Sequence, residues 1–160
     1  MFRNLLASAV FTGSLLLMVT ALSAMAGGQT SAAANANDPS GVYTFLKDGE
    51  FVQLTVEDGK VSGFISRFGE TESDKGEFID QFFDKATLEG DHLYFNTKTV
   101  HALWYELDGT LAVVPGKHVG DEGYRVIRGK LTVHASDAKG NDRASEKAVE
   151  FKSFPDLRKP

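Results

Sequence analysis

The sequence predicts an all-β domain, an antiparallel meander of about eight strands closed as a small barrel. Three observations carry that expectation. Apolar and polar residues alternate along most of the chain beyond residue 41, Asp-Gly turn signals fall between the alternating runs, and no convincing crossover helix separates them. The same pattern leaves two other architectures open: a β-sandwich, and an α+β domain with a short helix at 77–86.

The first 26 residues read as a secretory signal peptide. Arg3 supplies a basic start, Leu5 to Leu22 is uncharged, and Ala24-Met25-Ala26 has the A-x-A form of a cleavage site. A retained spanning helix is the competing reading, and the A-x-A with the small polar stretch after it favours cleavage. The mature chain is therefore expected to be exported, periplasmic or extracellular, without a membrane span. Residues 27–40, rich in Gly, Ala, Ser and Asn, are expected to form a disordered lead-in; 41–154 make a single β domain, and 155–160 a C-terminal tail. The chain has no Cys, so disulfides and a lipid-modified Cys are excluded and the core alone must hold the fold. Taking Arg3 from the 17 Lys and Arg leaves 16 against 22 Asp and Glu, a net charge of −6. With no basic cluster either, nucleic acid is not a partner the composition fits.

Strands are expected at 42–47, 50–57, 60–68, 78–88, 92–98, 101–114, 124–134 and 148–154. The clearest turn is Asp58-Gly59, where a two-residue type I′ hairpin needs φ > 0 at both positions. It pairs Glu57 with Lys60, Val56 with Val61, Leu54 with Gly63 and Val52 with Ile65. Treating Asp48-Gly49 the same way pairs Lys47 with Glu50, Phe45 with Val52 and Tyr43 with Leu54. Both turns then place Tyr43, Phe45, Val52, Leu54, Val56, Val61 and Ile65 on one face, the expected core. Residues 68–77 are too polar and Gly-rich for a core element. The next run permits a helix, because Phe78, Phe82 and Ala86 recur at helical spacing behind a capping-box pair, Asp74 and Glu77. As a strand, which is preferred, it puts Phe78, Phe82, Ala86 and Leu88 inward. Leu103, Tyr105, Leu107, Leu111 and Val113 share a phase across Asp108-Gly109, which reads as a bulge or a turn. Ser136 to Lys147 is expected to be a polar loop.

Ser40-Gly41-Val42-Tyr43 opening the first strand, ahead of about eight hairpin-connected strands, resembles the calycin group: lipocalins, fatty-acid-binding proteins and avidins. Those families open on Gly-x-Trp, and Tyr43 stands where the Trp would be. The resemblance spans 41–154 and implies a closed barrel; only Gly41 and Tyr43 match its pattern, and both positions are structural there. In texture the chain is also similar to small exported bacterial domains.

No motif specifies chemistry. Cys nucleophiles are impossible, G-x-S-x-G is missing, and His92, His101, His118 and His134 lack metal-ligand spacing, so neither a catalytic centre, a metal nor a cofactor is indicated. Candidate ligand-binding residues are Arg67, Asp80, Asp84, His101 and Tyr105. Asp80 and Asp84 share the phase of Phe82 and would point into the barrel, where burial raises a carboxyl pKa unless a cation answers it. Against this, they sit on a solvated face, and Arg67 with Lys47 and Glu50 forms an ordinary charged rim. His101 and Tyr105 would lie near the mouth. A second set, Leu46, Phe51, Phe64, Phe68 and Trp104, falls out of phase with the core and would form an outer apolar patch. Two functions follow: a carrier holding a small apolar ligand in the barrel interior, or an interaction or inhibitor module using the outer patch toward a second copy or another exported protein.

Overall fold

The computed structural model describes residues 37–70, 72–137 and 139–155. The expected signal peptide, most of the lead-in and the tail from 156 onward lie outside the described residues. Eight strands run in sequence order: β1 Gly41–Thr44, β2 Phe51–Glu57, β3 Lys60–Phe68, β4 Phe78–Glu89, β5 His92–Thr97, β6 Leu103–Val113, β7 Arg125–Ser136 and β8 Asp142–Lys152. Each pairs antiparallel with its neighbours, a meander without crossovers. The described residues contain no helix, and residues 78–89 are a strand.

The seam between first and last strands joins at one end. Tyr43 bridges Ser153, the Phe154 N–H donates to the Val42 carbonyl at 2.8 Å, and the Lys152 N–H donates to Thr44 Oγ1 at 2.9 Å. Farther along β8, residues Asp142–Ala148 are exposed on both faces. The result is a strongly curled sheet, a half-barrel whose seam joins at one end, built as the all-β antiparallel meander of eight strands that the sequence suggested.

Three local expectations are corrected. The β2–β3 hairpin has the expected register, with Asp58 and Gly59 at φ 51° and 73°. In the β1–β2 hairpin, however, Tyr43 faces Val52 and Gly41 faces Leu54. The slip is two residues, because Phe45 closes on Glu50 through their main chains, and the Glu50 carboxylate accepts the Lys47 and Phe68 N–H groups at 3.1 and 3.2 Å. A slip of two preserves which side chains face inward. Second, Asp108-Gly109 neither bulges nor turns. Gly109 pairs with Gly129, where a Cβ on Gly129 would come within 2.5 Å of the Gly109 Cα; two glycines let these main chains approach. Third, the expected loop over 136–147 is mostly ladder, since β7 and β8 pair from Ser136↔Asp142 onward. Its side chains do not alternate because neither face is buried.

Inside the curl, Tyr43, Phe45, Val52, Leu54, Ile65, Leu93, Phe95, Tyr105, Leu107, Ile127, Leu131 and Phe151 form one buried cluster, with Val56 and Val61 packed against it. The Phe45 ring lies 5.2 Å from both Tyr105 and Phe151, and Phe83 stacks on Phe95 at 4.2 Å. Aromatic side chains thus fill the middle of the barrel.

Candidate functional site

A candidate site follows from a change of phase in β4. Its first half pairs with β3 over Phe64↔Phe82 to Phe68↔Phe78; its second half pairs with β5, and the register shifts between Phe83 and Lys85. A bulge adds one residue and reverses which side chains face inward. Gln81 and Phe83 point in before Asp84, whereas Ala86 and Leu88 pack on the core after it. The expected inward set is therefore half wrong. Phe78 and Phe82 are 54% and 56% exposed, because the bulge breaks the uninterrupted alternation that would have turned them inward.

Beyond Phe64, β3 has no ladder to β4. A groove of about 460 Å³ lies along this stretch. Its floor includes Val61, Phe83 and Ala86, its lip Phe64 and Phe82, and Asp84, Lys98 and Gln53 bring polar groups to it. A Cβ on Gly63 would meet the Gln53 carbonyl oxygen at 2.0 Å and the Phe83 ring at 2.7 Å. Glycine at this position lets the ring close the floor.

A buried polar cluster stands where β3, β4 and the β5–β6 turn meet. Arg67, Glu50, Gln81 and Thr97 are all buried. Arg67 Nε donates to Gln81 Oε1 at 2.6 Å and its Nη1 to the Phe68 carbonyl at 3.2 Å; Gln81 Nε2 donates to the Lys98 and Leu103 carbonyls at 3.1 and 2.9 Å. Two N–H groups of this buried guanidinium thus donate to neutral acceptors. Lys47 pairs with Glu70 at 2.7 Å rather than with Glu50. That hydrogen bond lowers the Glu70 pKa and raises that of Lys47. Burial pushes the Tyr105 phenol up to about 12, Arg67 opposing and Glu50 and Glu70 adding to it. The β5–β6 turn places His101 and Ala102 at φ 52° and 59°. His101 Nδ1 lies 2.7 Å from Asp74 Oδ2, tying this turn to the β3–β4 loop.

Of the candidate residues, Arg67 and Tyr105 are thus interior, and His101 stands at the same end. Asp80 is exposed on the outer face opposite Ser66, and Asp84 is exposed at the bulge; the phase reversal removes both from the interior. In the outer set, Phe51, Phe64 and Phe82 make a ring chain at 6.0 and 5.4 Å, and Phe68 meets Phe78 at 4.5 Å. Leu46 packs against the core instead, carried there by the wider β1–β2 turn. Trp104 stacks on His134 at 3.5 Å across β6 and β7, apart from the phenylalanines. Sequence reasoning missed Gln81, Phe83 and Lys98. Phe82-Phe83, two adjacent aromatics where a strict alternation allows one inward, was the available signal.

No family model matches the chain, and no curated protein matches it significantly. Among solved structures, it is similar to a bradavidin2–biotin complex, at 14% identity and a TM-score of 0.47, over 72% of this chain and 96% of that one.

Proposed function

We propose that this chain is an exported binding protein whose seat is the groove along β3 and β4 past the end of their ladder. The observation that carries this reading is the open volume itself. Aromatic side chains fill the barrel's middle, whereas about 460 Å³ stands open in the wall, faced by Phe64, Phe82 and Phe83 and edged by Asp84 and Lys98. Binding sites of this kind are concave and apolar, with a few placed polar groups that orient the ligand. A small ligand with an apolar body and hydrogen-bonding ends fits that lining. Two tests apply. Mass spectrometry of the exported protein should show Gly27 as its first residue, and finding Met1 would remove the export part. Titration with 1-anilinonaphthalene-8-sulfonate should show saturable binding, weakened about tenfold or more by Phe64→Ser and by Phe82→Ser, the loss of an anchor worth roughly 2 kcal/mol. Trp104→Ser, on another face, should leave it unchanged. Probe binding insensitive to both Phe substitutions would overturn the groove as the seat.

A second reading rests on the phenylalanine face. Phe51, Phe64 and Phe82 form one chain of ring contacts and Phe68 with Phe78 another, across three paired strands, with Phe78 and Phe82 exposed, and exposed apolar surface of this kind marks contacts. Phe68 and Phe78 do not line the groove, so Phe68→Ser and Phe78→Ser separate the readings. If the face joins two copies, these substitutions abolish a concentration-dependent mass in sedimentation and leave probe binding alone.

A further inference from the structure

Strand register lays out the side chains on the outer face of the groove. Gln53 stands opposite Phe64 and Phe64 opposite Phe82. The Lys98 N–H donates to the Phe82 carbonyl at 2.9 Å, which carries the Phe83↔Thr97 ladder on by one residue. Residues directly opposite in an antiparallel ladder share a face. An amide, two phenyl rings and an ammonium therefore follow one another from β2 across β3 and β4 to the end of β5. Beside this row Thr55 faces Ser62. Asp84, the bulged residue that has no opposite number on β5, brings its carboxylate to the same groove.

Asp84 and Lys98 are exposed, carry opposite charges and line one groove. Their side chains nevertheless form no ion pair or hydrogen bond, with each other or with any other described residue. Elsewhere on the sheet, opposite charges on adjoining strands do close: Arg128 on Glu150 at 2.7 Å, Lys130 on Glu146 at 2.9 Å and His92 on Asp108 at 2.8 Å. The rings of Phe64 and Phe82, 5.4 Å apart, supply apolar surface in the same groove. An anion and a cation held open on an apolar groove complement a molecule that carries both charges on an apolar body. A singly charged ligand answers only one of them.

We infer that the ligand of this groove is a small aromatic zwitterion of the α-amino acid class; this rests on the groove being the binding seat. Its ammonium donates to the Asp84 carboxylate, its carboxylate accepts from the Lys98 ammonium, and its ring lies against Phe64 and Phe82. Aromatic rings prefer offset or edge-to-face contacts, and the 45° tilt between these two phenyl groups offers both to a third ring. At the far end of the row, Gln53 Nε2 donates to the Leu54 carbonyl at 3.4 Å, which leaves its Oε1 to accept from a ring N–H or hydroxyl. Indole and phenol rings therefore suit the groove better than a plain phenyl.

The test removes the charges of the ligand singly. L-tryptophan, tryptamine and indole-3-propionate share one ring and carry, in that order, both charges, the cation alone and the anion alone. Each is titrated at low ionic strength against the full exported chain, isotope-labelled, and the amide shifts of Gly63, Phe64 and Phe82 report place and affinity together. L-tryptophan should bind about fivefold or more tightly than either relative, a margin that about 1 M salt should shrink. Asp84→Asn should bring L-tryptophan down to the level of indole-3-propionate and leave indole-3-propionate unchanged. Lys98→Gln should bring it down to the level of tryptamine and leave tryptamine unchanged. Both positions are exposed, so the two variants should keep the parent Tm. Equal affinity for the three compounds, unmoved amides at Gly63, Phe64 and Phe82, or an L-tryptophan affinity indifferent to both substitutions would each overturn the zwitterion. If 1-anilinonaphthalene-8-sulfonate still binds and responds to Phe64→Ser, the groove survives as a seat for another class of molecule and only this inference falls. Loss of that response removes both.

Discussion

The reversal of phase at Asp84 can be tested with two adjacent residues of the same chemistry. Phe83 faces inward, stacked on Phe95 at 4.2 Å, and its substitution by Ala should cost about 3 kcal/mol, the low end for a core Phe because its burial is partial. Phe82 faces out at 56% exposure and keeps less than half of its transfer energy, so Phe82→Ala should cost about 1 kcal/mol, even allowing for its contact with Phe64. The expected difference is about 2 kcal/mol, or roughly 8 °C in Tm at about 4 °C per kcal/mol for a domain of this size. Urea unfolding followed by tryptophan fluorescence and circular dichroism gives both values, provided the slope with denaturant is the same in the two variants. Equal costs, or a larger one for Phe82→Ala, would show that β4 runs without the bulge. Phe82 would then face inward, as uninterrupted alternation demands, and the account of the groove would fail with it.

Four further outcomes follow from the same structure. Burial pushes the Tyr43 and Tyr105 phenols up to about 12, against an ordinary value of about 10. Between those values the unfolded chain has lost protons that the folded chain keeps, so stability is intact below about pH 10 and falls as pH rises toward 12, by on the order of 2 kcal/mol for each tyrosine. Urea midpoints measured from pH 9 to 11.5 should show the fall, and Tyr105→Phe should make it shallower; an unchanged slope in that variant would reject the assignment. Gly59→Val should cost more than about 1 kcal/mol from backbone strain alone, because φ is 73° there and no atom lies within 4 Å of an added Cβ. Gly63→Ala should cost more than Gly59→Ala, since its Cβ would meet a carbonyl oxygen at 2.0 Å; the reverse order in denaturant midpoints would contradict the tight β2–β3 approach. Finally, Ala102→Gly should stabilise by about 1 kcal/mol, because Ala102 sits at φ 59° in the β5–β6 turn; no gain in Tm would mean the turn has another shape.

What the sequence determined by itself was whatever depends on neighbours in the chain. The Asp58-Gly59 turn fixes its own dihedral signs, and from them the β2–β3 register and the inward set Val52, Leu54, Val56, Val61 and Ile65 follow by counting in twos. The all-β meander was legible for the same reason, one hairpin after another. Tertiary structure decided the features that depend on distant partners. Glu50 widened the β1–β2 turn by reaching the Lys47 and Phe68 main chains, which also drew Leu46 off the outer patch. Residues 142–147 became strand because β7 offered them a partner, although their own side chains bury nothing and so leave no alternation to read. The bulge at Asp84 depends on β4 serving two neighbours, β3 with its first half and β5 with its second. One added residue there exchanged the inner and outer roles of Phe82 and Phe83 and moved Asp80 and Asp84 to the surface. A period-two pattern carries no mark of where such a residue will be accommodated, because that place is set by two strands separated from each other along the chain and brought together only by folding.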